Sequence, residues 1–212
     1  MDPTIIITIF SLVILLFSVI IHELAHGSVA YSLGDPTAKY EGRLTLNPLK
    51  HLDPFGSIIL PLLLFVAGSP FLFGWAKPVP VNPYNFRDKK YGEIKVSIAG
   101  PLSNLAIAVF FGLILRFIPD AIISGNPGIM IALIYVVAIN IWLAIFNLIP
   151  VPPLDGSWIL FSLLPAKLDY IKNFLRQYGV IILILLIVFG GGVWSSVTSI
   201  IFQLITGRML TL

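Results

Sequence analysis

The chain has 212 residues, of which 58% are hydrophobic and only 11% are charged, and its formal net charge is +3. So few charged side chains cannot cover a soluble globule of this size, which excludes a soluble protein and predicts an integral membrane protein. The absence of cysteine excludes disulfides, thiolate nucleophiles and cysteine metal sites. We expect the basic residues in cytoplasmic loops beside lipid headgroups, and we do not expect nucleic acid as a partner.

The first predicted element is a membrane helix over about residues 5–33. Asp2 and Pro3 favour a helix start, and Gly34-Asp35-Pro36 ends the apolar run. The segment lacks the basic n-region and cleavage site of a signal peptide, so we expect it to be retained. Its length is enough to cross a bilayer and to project beyond it.

Four further apolar segments follow, at residues 56–76, 91–118, 128–149 and 179–206. Lysine and arginine cluster between the first and third segments of the chain and again after the fourth, which predicts that these regions are cytoplasmic. Residues 56–76 have basic flanks at both ends and are interrupted by Pro61 and Pro70, so a re-entrant hairpin is predicted there. Residues 179–206, with glycine at 190–192, fit either one long crossing or a short hairpin.

Residues 42–48 and 74–83 alternate in polarity or carry prolines, which predicts short strands at the membrane. The predicted fold is an all-α polytopic membrane protein. It is a bundle of about four to six transmembrane helices with a re-entrant hairpin and short membrane-associated β-strands. We expect one integral membrane domain over residues 1–212, with a core at 5–160 and C-terminal helices at 166–212.

The strongest functional signal is His22-Glu23-Leu24-Ala25-His26 in the first helix. The two histidines lie one turn apart on one face and can bind a single metal ion. A satisfied polar cluster is the alternative, but a carboxylate at membrane depth costs roughly 2.5–3.5 kcal/mol and is retained mainly for a task. The sequence therefore predicts a site for one Zn²⁺ per chain.

Catalytic zinc takes three protein ligands, and Asp155 is the predicted third. Asp155 follows three prolines that unwind the chain where the fourth segment ends. Helix capping is the alternative role for this aspartate. The other acidic residues considered lie in basic, cytoplasmic segments: Asp53, Asp88, Glu93 and Asp169. The pairing requires that residues 56–76 do not cross the membrane, because only then do His22 and Asp155 reach the same side.

Zinc lowers the pKa of a bound water toward about 7, and Glu23 is the predicted base that takes its proton and passes it to the leaving amine. Asn147 and Asn140 lie on one face of the fourth segment and are candidate donors to the tetrahedral oxyanion. Interhelical hydrogen bonding is the equally supported alternative for Asn140. His51, in a basic loop beside Asp53, is expected to be a surface histidine.

Taken together, these motifs resemble the site-2 proteases, which are intramembrane zinc metalloproteases. HELAH is similar to the family's HExxH, and Asn147–Gly156 is similar to its NxxPxPxxDG motif, whose aspartate is a zinc ligand. Residues 99–104 resemble the family's Gly-Pro helix, and residues 42–47 and 74–82 resemble its compact subgroup, which lacks PDZ and CBS domains. The resemblance covers roughly residues 10–160. It implies cleavage of transmembrane helical substrates in a bilayer, here a prokaryotic cell membrane, with the active site toward the cytoplasm.

A helical substrate must unwind before cleavage and pair its backbone elsewhere. The alternating residues Arg43, Leu44, Thr45 and Leu46 are the predicted strand edge for this pairing, and a solvated interfacial loop is the equal alternative. A haem or metal carrier is disfavoured, because histidines one turn apart cannot be opposite axial ligands. The remaining alternative is a proton-coupled transporter with Glu23 and Asp155 as a relay. The sequence does not indicate an oligomeric state.

Overall fold

A computed structural model describes residues 3–67, 74, 76–119, 122 and 125–210. Its helices are α1 (Pro3–Ser32), α2 (Thr37–Tyr40), α3 (Leu60–Val66), α4 (Gly92–Phe117), α5 (Pro127–Asn147), α6 (Asp155–Leu163) and α7 (Asp169–Thr206). A wide π-helical turn, Pro54–Ile59, leads directly into α3. Short 3-10 turns occur at Pro48–Lys50, Pro83–Asn85 and Ala166–Leu168.

Four helical regions of the described chain are long and apolar enough to cross a membrane: Ile5–Ser32, Gly92–Phe117, Pro127–Asn147 and Ala166–Thr206. The prediction of a helical, integral membrane protein is confirmed, with a number of crossings at the lower end of the expected range. The last region contains α7, which is continuous through the three glycines at 190–192. Of the two alternatives for that segment, the single long helix is therefore correct.

Helix α4 is the centre of the bundle, because it packs against α1, α5, α6 and α7. Its buried positions include Ala99, Gly100, Asn104 and Ala108, which recur at helical spacing. Small residues at such positions let neighbouring membrane helices approach closely. The largest apolar cluster joins α4, α5 and α7: Ala108, Leu115, Leu133, Ile134, Val137, Ala138, Ile141 and Phe202. Because α1 and α6 both pack against α4, these three helices meet at one end of the bundle.

The predicted β-strands at residues 42–48 and 74–83 are wrong. Within the described residues, the only β-pairing is an isolated antiparallel bridge between Leu52 and Ala76. Prolines at 78, 80 and 83 lack the N–H that a ladder requires. In the first segment the chain bends at Leu44 and Thr45, and the Thr45 N–H already donates to the Arg43 carbonyl at 3.0 Å.

The predicted re-entrant hairpin at residues 56–76 is not supported either. The helical part runs only from Pro54 to Val66, shorter than the ~20 residues of a crossing, and residues 68–73 and 75 lie outside the described residues. The two ends of the segment nevertheless meet, since Leu52 pairs with Ala76 and the Lys77 N–H donates to the His51 carbonyl at 2.9 Å. Residues 51 and 52 therefore lie beside residues 76 and 77.

Candidate metal centre and active site

Three side chains that the sequence assigned to zinc converge where α1 meets the start of α6. The Nε2 atoms of His22 and His26 are 3.0 Å apart. Asp155 Oδ2 lies 3.0 Å from the first and 3.3 Å from the second. Both histidines are buried, and the aspartate side chain is 20% exposed. Asp155 makes no capping bond, since the start of α6 has no side-chain cap.

Hydrogen bonds on the far side of each ring fix the tautomer of both histidines. His26 Nδ1 lies 2.7 Å from the Val96 carbonyl, which can only accept, so Nδ1 carries the proton. His22 Nδ1 lies 2.6 Å from Asn104 Oδ1 and donates to it for the same reason. Each Nε2 therefore presents a lone pair to the other histidine and to Asp155.

The orientation of Asn104 is itself determined by a buried network between α1, α4 and α5. Its Nδ2 donates to the Ser18 carbonyl at 3.2 Å and to Asn140 Oδ1 at 2.9 Å. Asn140 Nδ2 in turn donates to Ser18 Oγ and to the Val136 carbonyl, both at 2.9 Å. Carbonyls only accept, so neither amide can be flipped without losing bonds. Asn140 is fully buried, and both its amide hydrogens are used. It therefore takes part in hydrogen bonding between helices, one of the two roles that the sequence left open.

The converging atoms fit a zinc ion. Two imidazole lone pairs face a carboxylate oxygen that has no hydrogen-bond donor, an arrangement that a cation stabilises and that is otherwise costly. Ligands at about 2.0–2.1 Å in a tetrahedral site lie about 3.3 Å apart, close to the three separations found. Gly100 on α4 leaves the space: an added Cβ would lie 2.5 Å from His22 Nε2 and slightly closer to His26 Nε2.

The three candidate ligands, Glu23 and Asn147 line one cavity of about 450 Å³. Glu23 Oε2 accepts a hydrogen bond from the Val79 amide at 2.7 Å. Asn147 Nδ2 donates to the Leu143 carbonyl at 3.0 Å, which leaves its second N–H for a ligand. The arrangement can therefore hold a cation, accept a proton and donate to an oxyanion within one space.

Several residues of this region were missed or misjudged at the sequence level. Glu93, set aside because it lies in a basic segment expected to be cytoplasmic, lines the same cavity, where Ser162 Oγ donates to its carboxylate at 3.1 Å. Arg43, predicted at a strand edge, is only 3% exposed. His51 is 1% exposed and bonds the Thr45 carbonyl through Nε2 at 2.8 Å, so the expectation of a surface histidine is wrong. Asn104 was noted only within a motif, although a polar side chain at membrane depth is itself a signal.

Asp35, a loop residue outside the membrane-spanning helices, holds the segment that forms one wall of the cavity. Asp35 is fully buried and accepts from the Asn82 amide at 2.7 Å, from Asn85 Nδ2 at 2.8 Å and from Thr37 Oγ1 at 2.5 Å. Burial opposes ionisation, but these hydrogen bonds outweigh it and hold the pKa of Asp35 below its ordinary value. The charged carboxylate thereby joins the end of α1 to the segment that carries Val79.

Comparison with known proteins assigns the chain to a family. The model of peptidase family M50 matches residues 124–190, which include Asp155. YwhC of Bacillus subtilis, provisionally named a zinc metalloprotease, is 42% identical over 183 residues, which is 84% of this chain and 80% of that protein.

Two more distant relatives agree, and both are also provisionally named zinc metalloproteases. Rip2 of Mycolicibacterium smegmatis is 32% identical over 82% of this chain and 64% of its own length. MJ0611 of Methanocaldococcus jannaschii is 34% identical over 74% and 72%. No solved structure matches the chain. With the apolar helices and the converging ligands, these relationships show that the chain belongs to peptidase family M50, the site-2 protease family, and is a membrane zinc metalloprotease.

Proposed function

We propose that this protein is an intramembrane protease that hydrolyses peptide bonds within or near the transmembrane segments of other membrane proteins. The observation that carries the proposal is the convergence of two tautomerically fixed histidines and one unpaired carboxylate oxygen beside a membrane-helix glutamate. His22, His26 and Asp155 hold the ion. Bound there, Zn²⁺ supplies the Lewis acidity that activates water and polarises a peptide carbonyl.

The chain's own residues perform the proton transfers. Glu23 accepts the proton of the attacking water on its Oε1 and delivers it to the leaving amine nitrogen. The free N–H of Asn147 donates to the oxyanion that develops in the tetrahedral intermediate. Asn140 is not part of this machinery, because it lies behind the metal centre and both its donors are occupied.

A helical substrate must unwind locally before cleavage, because its peptide bonds are shielded by the hydrogen bonds of the helix itself. Strand addition at residues 43–46 is not proposed, since Arg43 is buried and the Thr45 N–H is already bonded. Leu46, 54% exposed, remains the candidate substrate contact of that segment.

The charge distribution supports an active site near the cytoplasmic face. The segments that join α1 to α4 and α6 to α7 carry most of the lysines and arginines, which favours a cytoplasmic location for both. These segments flank the end of the bundle at which His26 and Asp155 meet. Bacterial and archaeal relatives support a prokaryotic membrane.

The experiment is a comparison of the wild type with Glu23→Gln in proteoliposomes that contain single-span reporter proteins with helix-breaking residues near one end. We expect cleavage by the wild type, none by Glu23→Gln, and equal zinc content by mass spectrometry, because the glutamate is not a ligand. Cleavage by Glu23→Gln at the wild-type rate would refute the assigned base. Proton flux without any cleavage would instead favour the relay between Glu23 and Asp155.

A further inference from the structure

The carboxylate of Glu23 is held by a backbone amide that is distant in the sequence. The Val79 N–H donates to Glu23 Oε2 at 2.7 Å, whereas Oε1 has no hydrogen bond within the part of the chain that the structure describes. One oxygen is thus fixed by the protein. The other is left to take a proton.

The segment that carries this amide, residues 77–81, is here called the strap. Val79 stands between Pro78 and Pro80, which have no N–H, so it is the single backbone donor of the Pro-Val-Pro sequence. Proline also confines itself and its preceding residue to a narrow range of backbone angles. The buried Val79 side chain packs toward α1, where its Cγ1 would lie 2.8 Å from a Cβ added at Gly27.

A buried guanidinium clamps the strap directly before Val79. Arg43 Nη2 donates to the Lys77 carbonyl at 2.7 Å and to the Pro78 carbonyl at 3.3 Å. Arg43 is 3% exposed, its Nε and Nη1 have no hydrogen-bond partner, and no carboxylate pairs with it among the described residues. Burying a guanidinium in this way is costly, so its retention requires a task.

Two further contacts hold the strap at its ends. The Lys77 N–H donates to the carbonyl of His51 at 2.9 Å. Beyond the other end, the Asn82 N–H donates to Asp35 Oδ2 at 2.7 Å. Both acceptor residues, His51 and Asp35, are buried. The position of the Val79 amide is therefore determined from both ends of the strap.

We propose that Arg43, acting through the strap, positions Glu23 for proton transfer. This inference rests on the function proposed above, in which Glu23 is the base. With the Val79 amide on Oε2, the carboxylate cannot rotate freely, and Oε1 stays at one place in the cavity. Without that bond the carboxylate can swing, and a misplacement of 1 Å costs on the order of 100-fold in rate. Arg43 is therefore a positioning residue that does not itself touch the substrate.

Two matched pairs of variants test the proposal in purified, zinc-loaded protein. Val79→Pro removes the amide donor, whereas Val79→Ala keeps it; Arg43→Met removes the clamp, whereas Arg43→Lys keeps one donor. We expect kcat to fall roughly 10- to 100-fold in Val79→Pro and Arg43→Met, with KM within about twofold and zinc content unchanged. The conservative partner of each pair should lose at least about fivefold less. Equal losses within each pair would show that only packing matters and would overturn the proposal.

Hydrogen exchange provides a test that does not depend on proteolysis. Because prolines flank Val79, overlapping peptides isolate its amide as the only exchangeable one between Lys77 and Val81. We expect that amide to be protected in the wild type and to exchange at least about tenfold faster in Glu23→Ala and in Arg43→Met. Equal exchange in all three proteins would overturn the proposal. A wild type that never cleaves a substrate would refute the proposed function, and the exchange result would still decide whether the strap holds Glu23.

Discussion

Replacement of Asn104 by leucine should weaken zinc binding although Asn104 does not touch the metal. The side chain accepts the Nδ1 proton of His22 at 2.6 Å and thereby keeps Nε2 deprotonated for the ion. In Asn104→Leu the imidazole is free to place its proton on Nε2, where it blocks the ligand position. Hydrogen-bond partners of this kind are worth about 10- to 100-fold in metal affinity, which corresponds to about 1.4–2.7 kcal/mol.

A second substitution separates the loss of the hydrogen-bond acceptor from a change in packing. Asn104→Asp keeps an acceptor for His22 but loses the two donors of Nδ2, whereas Asn104→Leu has a similar volume and no acceptor. We expect Asn104→Asp to bind zinc at least as tightly as the wild type, and Asn104→Leu to bind about 10- to 100-fold more weakly.

The assay is competition against a fluorescent chelator in detergent, with thermal unfolding of the apoprotein as a control for folding. Thr198→Val on α7 is the matched control, because it removes a buried hydroxyl that has no hydrogen-bond partner. If Asn104→Leu bound zinc as tightly as the wild type, the tautomer argument would be refuted. The same conclusion would follow if both Asn104 variants were weakened equally.

Three other substitutions test neighbouring parts of the site. Gly100→Ala should abolish zinc binding, because the new Cβ would lie 2.5 Å from His22 Nε2, whereas Gly191→Ala, which meets no atom within 4 Å, should keep one zinc per chain by mass spectrometry. Asp155→Ala should weaken zinc binding by more than the ~100-fold expected when a ligand loses only its hydrogen-bond partner, measured by the same competition assay. Asp35→Asn should lower the free energy of unfolding at pH 7 by about 1–3 kcal/mol. Because the pKa of Asp35 is depressed in the folded state, the ionised carboxylate contributes to the free energy of unfolding above the unfolded-state pKa of about 3.9. This contribution is lost as the pH falls through the folded-state pKa. The difference in thermal unfolding between Asp35→Asn and the wild type should therefore shrink below about pH 4.

The convergence of the three candidate metal ligands could be predicted, because helical periodicity and a proline-broken helix end are both visible in the sequence. His22 and His26 share a face by helical periodicity alone, and Asp155 was the one carboxylate left beside a proline-broken helix end. The pairing also needed an even number of crossings between the two motifs, which the basic flanks of residues 56–76 predicted; the re-entrant hairpin drawn from the same flanks is not supported.

The surroundings of the ligands could not be predicted, because they depend on contacts between distant loops. Arg43 was predicted at a strand edge and His51 at the surface, yet both residues are buried. Alternating polarity at residues 42–48 suggested a strand, but a bend and an internal hydrogen bond of Thr45 replace it. The hydrogen bond from Val79 to Glu23 is donated by a backbone amide. The side chain of a residue gives no indication of such a bond.

Unused hydrogen-bonding capacity near the metal centre matches the requirements of amide hydrolysis. Buried polar groups are normally paired, since an unpaired one costs about 1–3 kcal/mol, and Asn104 and Asn140 obey this rule completely. Among the described residues, the unpaired groups around the cavity include two imidazole lone pairs and an Asp155 oxygen that favour a cation, one carboxylate oxygen of Glu23 that can accept a proton, and one N–H of Asn147 that can donate to an oxyanion. A transporter relay needs only the carboxylates and gives the two fixed histidine tautomers no role. Hydrolysis gives a role to each of these groups, which is why we favour it over proton transport.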